Sequence, residues 1–269
     1  MTRLHDAIEQ YIDWMRSHGA RFVRSAETLR RFARTVGDEA GCDTVSHEHA
    51  AAYLSRGALR ASSLAFEYYA LAGFYRHAAA RGIATRSPLP AQPPQRSQPF
   101  PAYIFSDDEV RRLLAATEES RRRATQLEAP TLRTLLILLR GAGLRRGEAL
   151  RLTLADVDCE GALLTIRETK FFKTRLVPLA QRVARALEDY AARRLAGSVS
   201  RAPEAPFLVN RDGTSLKPST VSQAFADLRR AAGVGRDDGA PYQPRLHDLR
   251  HYLLYCFISC KFGLVMFLM

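Results

Sequence analysis

Three short stretches of this chain put cationic side chains where they could grip a phosphate. The first is Gly143-Leu144-Arg145-Arg146-Gly147-Glu148-Ala149-Leu150. A glycine turn followed by a helix start presents Arg145 from a fixed backbone. The helix N-terminus beneath it adds unpaired N–H groups and positive potential. Glu148, one turn on, can orient the guanidinium, although the same pair also reads as a surface ion pair. The second stretch is Thr169-Lys170-Phe171-Phe172-Lys173-Thr174-Arg175-Leu176-Val177-Pro178-Leu179. It sets a lysine at the tip of a hairpin, able to swing into a groove or to sit solvated. The third is Arg245-Leu246-His247-Asp248-Leu249-Arg250-His251. His247 and Arg250 are three apart and share a face of a helix start. Arginine gives bidentate charge-assisted bonds to a phosphoryl oxygen, and an imidazole beside it adds a donor or takes a proton. A helix-surface pair with no ligand has the same spacing.

The elements that must position these residues fall into two parts. Residues 1–86 read as an all-helical domain. Ile8, Tyr11, Ile12 and Met15 form one apolar face, 25–36 and 46–54 give two further helices, and Leu64, Tyr68, Leu71 and Tyr75 recur at helical spacing in a fourth. Residues 87–101, SPLPAQPPQRSQPFP, carry six prolines and no period, so they read as a semi-rigid strap. Beyond them, Ser106 and Glu109 form a capping box before an apolar-periodic run. Residues 131–140 are a nearly all-apolar helix, too short to cross a bilayer. LRRGEALRLTL reads as the next helix. The period then changes to two: 162–169 is strand-like, KFF is the turn and 173–179 the return strand. Residues 180–195 and 219–232 are helical again. The fold class expected is mainly α with a small antiparallel β-sheet.

The 269 residues carry 40 Lys+Arg against 28 Asp+Glu, a net charge of +12. That balance favours an acidic partner, with nucleic acid ahead of an anionic membrane surface. The excess is +3 over residues 1–86 and +7 over 100–251, so both parts could touch one polyanion. Cys42, Cys159, Cys256 and Cys260 are too few and scattered for a disulfide framework or a zinc site, and read as buried thiols. The N-terminus alternates charged and apolar residues, unlike a signal or transit peptide, so a cytoplasmic protein is the default. With no carboxylate cluster for Mg²⁺, a two-metal nuclease is disfavoured. Neither a metal nor another cofactor is expected.

Together and in this order, the three stretches resemble the tyrosine recombinases, the phage integrase family that includes the Xer-type enzymes. The resemblance covers most of the chain: ALAGFYRHAAARG, the proline strap, SDDEVRRLL, GLRRGEALRL, TKFFKTRLVPL and RLHDLRH. It implies a helical, SAM-like core-binding domain over 1–86, a linker over 87–101 and an α+β catalytic domain over 102–269. It implies site-specific recombination or integration of mobile-element DNA by strand breakage and rejoining. The partners it implies are double-stranded DNA and further protomers, a tetramer in the family, with no membrane. On that resemblance Arg145 and Arg250 clamp the scissile phosphate, and Lys170 protonates the leaving 5′ oxygen. His247 assists proton transfer at the nucleophile, while Glu148 and His251 support the site.

The family pattern continues with a His or Trp and then the nucleophilic Tyr, several helices beyond the His-x-x-Arg box. Here 19 residues follow Arg250, and from Tyr252 they read YLLYCFISCKFGLVMFLM, with no arginine against 36 elsewhere. The break in composition points to a frameshift, an insertion junction or a disrupted gene. Tyr252 and Tyr255 sit on the element that presents Arg250 rather than reaching across from another, so neither is expected to attack. The tail is marginal as a membrane span, with Lys261 near its middle, and reads better as a partly buried or aggregation-prone end. The expectation is a recombinase by descent that binds DNA and clamps the phosphate but is cleavage-defective. The alternative is a non-cleaving regulator or decoy at recombination sites. A helix-turn-helix factor would leave Lys170 and the His-x-x-Arg box without a role.

Overall fold

The computed structural model describes residues 2–37, 39–95, 100–119, 127–167, 174–196 and 200–252. The KFF turn with Lys170 and Lys173, and the tail 253–269 with Tyr255, Cys256 and Cys260, lie outside them. The chain divides into two compact units, residues 1–99 and 100–269.

The first unit contains four helices among its described residues: α1 Leu4–Ser17, α2 Val23–Val36, α3 His47–Ser55 and α4 Ala61–Ala80. The expected apolar faces meet in its core, where Leu4, Ile8, Ile12, Leu29, Phe32, Leu71 and Phe74 are fully buried. Each such side chain contributes about 1.5–3 kcal/mol of transfer free energy. Helix α2 begins two residues before the expected Ser25. Phe22 adopts a left-handed backbone, φ 45°, as its N-cap, with its ring edge-on to Tyr11 at 5.5 Å. Ser46 caps α3 by accepting from the His49 N–H at 3.2 Å. The first residues of the proline strap belong to this unit. Tyr68 donates to the Pro90 carbonyl at 2.7 Å, His47 Nδ1 lies 3.1 Å from the Pro88 carbonyl, and Leu89 packs on the core.

In the second unit the expected capping box forms: Ser106 Oγ accepts from the Glu109 N–H at 3.1 Å, and Glu109 accepts from the Ser106 N–H at 2.8 Å. It opens α5, Asp107–Glu119. Helix α6, Ala129–Gly141, starts with Pro130 in its first turn and is the central post; Leu135, Leu136, Leu138 and Leu139 are buried. It packs against α5, α8 (Gln181–Leu195), α9 (Pro218–Ala231) and a 3-10 turn at Leu246–Arg250. Two expectations need correction. LRRGEALRLTL is not a full helix but one turn, α7 Arg146–Ala149. The backbone is diverted because Leu152 accepts from the Phe207 N–H at 2.7 Å and Leu154 donates to the Ala205 carbonyl at 3.0 Å. Among the described residues the sheet has three strands rather than two: β1 Val157–Asp158, β2 Leu163–Ile166 and β3 Arg175–Pro178, antiparallel in that order. The β2–β3 register sets Ile166 opposite Arg175.

Candidate active site

Arg145 is the N-cap of α7, delivered by Gly143, which turns the chain at φ 61°. Glu148, one turn on, is 3% exposed at its side chain. Its carboxylate accepts from the Arg145 N–H at 2.8 Å and from the Arg145 guanidinium at 2.9 Å. Arg175, from the first residue of β3, closes the other side with bonds of 3.1 and 2.9 Å. Burial alone would push the Glu148 carboxyl up. The Arg175 guanidinium, the Arg145 N–H and the Arg145 guanidinium outweigh it and hold the pKa down to about 2.

Arg250 ends the 3-10 turn that packs on α6. Burial, then the charges of Arg145 and Arg175, depress its pKa, with Glu148 opposing. Two guanidinium groups, Arg145 and Arg175, thus pair with the one Glu148 carboxylate, and Arg250 is near enough to feel the charges of all three. In a 3-10 turn, residues three apart share a face, which puts His247 and Arg250 on one side of the Leu246–Arg250 turn. Burial, then Arg250 and His251, lower the His247 pKa, while Asp248 opposes. The two imidazoles meet edge-on at 5.5 Å. These influences favour the neutral imidazole, the form that accepts a proton.

The structure thus brings together Arg145, Glu148, His247, Arg250 and His251 from segments about a hundred residues apart in sequence. Arg145 and His247 line an open cleft of about 650 Å³, with Arg146, Ser222, Arg229 and Arg245 contributing further polar groups. Lys170 lies outside the described residues. Sequence reasoning passed over Arg175, whose partner lies 27 residues back on α7, and Asp248, which pins Arg245. The i, i+3 spacing of Arg245 and Asp248, the same as that of Arg145 and Glu148, was the available signal. Tyr252 lies with its ring 3.5 Å from the Arg140 guanidinium, and among the described residues no tyrosine lines the cleft. Among these residues there is also no cluster of His, Cys, Asp or Glu that could hold a metal, and no helix long and apolar enough to cross a membrane.

A helical unit joined to a helix-rich unit with a three-stranded sheet and a paired-arginine site is the build of a tyrosine recombinase. A lambda integrase dimer bound to a COC' core site superposes with a TM-score of 0.64 at 20% identity, covering 93% of this chain and 88% of that one. The Tn1549 transposon integrase in complex with circular intermediate DNA gives a TM-score of 0.67 at 14% identity, over 94% and 87% of the two chains. The phage integrase family model matches residues 104–260. A Sinorhizobium fredii protein named "Putative integrase/recombinase y4rE" is 37% identical over 92% of this chain and 78% of its own. Tyrosine recombinase XerD of Rhizobium meliloti is 30% identical over 86% and 72%. The chain belongs to the phage integrase family, the tyrosine recombinases.

Proposed function

We propose that this protein acts on double-stranded DNA in the cytoplasm as a site-specific recombinase by descent, and that its cleft is the phosphodiester site. The observation that carries the reading is the pair of arginines, Arg145 and Arg175, pinned on the buried Glu148 carboxylate, with Arg250 feeling their charges and His247 on its own turn. Attack on a phosphodiester builds a second negative charge on the phosphoryl oxygens, and fixed cations stabilise that charge without reorganising. Arg145 and Arg250 clamp the scissile phosphate, and Glu148 with Arg175 fixes the first of them. His247 takes the proton of the attacking hydroxyl, His251 packs against it, and Lys170 protonates the leaving 5′ oxygen. The relatives crystallised on DNA include a lambda integrase tetramer bound to a Holliday junction, which supports assembly of protomers on DNA.

Tyr252 is engaged by Arg140 and is not among the residues lining the cleft, which supports a second role, occupation of recombination sites without cutting. The test is denaturing electrophoresis of labelled duplexes carrying a nick beside candidate cleavage positions, followed by peptide mapping. Salt-sensitive binding with no adduct is the expected result. An adduct mapping to Tyr252 or Tyr255 would overturn the non-cleaving reading, and absence of DNA binding would overturn both.

A further inference from the structure

The cleft contains a second arginine held as Arg145 is held. Arg245 is the N-cap of the Leu246–Arg250 turn. Asp248, three residues on, is 0% exposed; it accepts from the Arg245 N–H at 2.9 Å and from the Arg245 guanidinium at 3.1 and 3.4 Å. The two boxes, Arg145 with Glu148 and Arg245 with Asp248, repeat one design: an arginine at a helical start, pinned by a buried carboxylate one turn ahead. Each arginine side chain stays about half exposed, 53% and 52%, and both line the same cleft.

Arg145 enters the cleft from the start of α7, and Arg245 from the start of the Leu246–Arg250 turn that also carries His247. The Arg245 guanidinium lies 4.0 Å over the Tyr242 ring, and Tyr242 is anchored by donating its hydroxyl to the Phe100 carbonyl at 3.2 Å. Stacking on one face and a carboxylate on one edge leave the opposite edge of Arg245 for a ligand. An arginine in this state has already lost most of its rotamer freedom, so little ordering remains to be done when a ligand binds.

We propose that Arg245 holds the backbone phosphate next to the one gripped by Arg145 and Arg250, with Tyr242 as its positioning residue. The inference rests on the reading of the cleft as a DNA site. A strand lying in the cleft meets both pinned arginines.

The experiment measures binding of the full chain to a labelled random-sequence duplex across a salt series. Each lost phosphate contact reduces the log–log salt slope by about 0.9. Arg245→Gln keeps a donor for Asp248 and drops the charge; its slope is expected to fall by about one contact, as for Arg145→Gln. The double variant is expected to fall by about two contacts, because the arginines serve different phosphates. If Arg245→Gln folds poorly, Arg245→Gln with Asp248→Asn removes the buried charge as well and is expected to show the same slope. Tyr242→Ala is expected to weaken binding several-fold, and Tyr242→Phe, which keeps the ring, to restore it. A wild-type slope in Arg245→Gln, or a double variant no lower than either single one, overturns the proposal. Failure of the unaltered chain to bind duplex overturns instead the reading on which it rests.

Discussion

Replacing Glu148 with glutamine tests the charge balance of the site directly. The carboxyl is held at about 2 against an ordinary value of 4.5, which corresponds to at most about 3 kcal/mol favouring the charged form. Glu148 is buried, but its Arg145 and Arg175 partners are 53% and 38% exposed, so solvent screening trims that upper figure. Glutamine keeps the shape and one acceptor, but leaves Arg145, Arg175 and Arg250 facing one another. A loss of about 3 kcal/mol in a unit of this size corresponds to a fall in Tm on the order of 10 °C. The only tryptophan, Trp14, lies in the other unit, so its fluorescence serves as an internal control. The drop should appear in the backbone circular dichroism transition of the second unit and leave the Trp14 transition unmoved. The pH dependence has a fixed sign. A depressed carboxyl contributes stability above its unfolded pKa and loses it as pH falls through the folded one. The gap between wild type and variant should be widest above about pH 4.5 and shrink towards pH 2. A Tm within about 2 °C of wild type, or a gap that widens in acid, would refute the reasoning.

Further outcomes are expected elsewhere. Glu67 is buried in the first unit between Arg31 and Arg56, so Glu67→Ala should cost about 3–5 kcal/mol by stranding those cations, read by the Trp14 transition. Glu9→Ala breaks only the part-exposed pair with Arg30 and should change stability by less than about 1 kcal/mol in the same assay. A methyl group at Gly141 would stand 2.8 Å from Val183 Cγ2, so Gly141→Ala should cost about 1–3 kcal/mol by overpacking the α6–α8 contact, seen in chemical denaturation of the second unit. Burial pushes the Cys42 thiol up to about 11, so mass spectrometry after alkylation at neutral pH should find it unlabelled until the first unit unfolds.

What could be read from sequence divides along a physical line. Features encoded within one turn or one strand were legible: the Ser106–Glu109 box, the apolar run of α6, and the alternation that changes period at β2. The Arg145–Glu148 pair and the His247–Arg250 spacing belong with them, because partners three apart must meet once the turn forms. Features decided by distant partners were not legible. The shortness of α7 depends on hydrogen bonds to residues 205 and 207, which no local pattern announces. Strand β1 has two residues, too few to show a period, and exists because β2 lies beside it. Arg175 was read only as part of a return strand. Its place on Glu148 follows from the register of β3, which alternation alone leaves free.

The crowding of Arg145, Arg175 and Arg250 about a single carboxylate also bears on how long a copy of the protein survives in a cell. On the proposed assignment of the cleft as a phosphate site, like charges are held near one another until a phosphate arrives, at a cost to the stability of the second unit. A bound strand relieves that repulsion and adds its own binding free energy to folding, since it engages the native state alone. Copies seated on DNA are thereby the durable ones, while free copies open more often and offer their backbone to proteases. Turnover by this route removes the unoccupied protein first, so the standing population follows the number of DNA sites that can hold it.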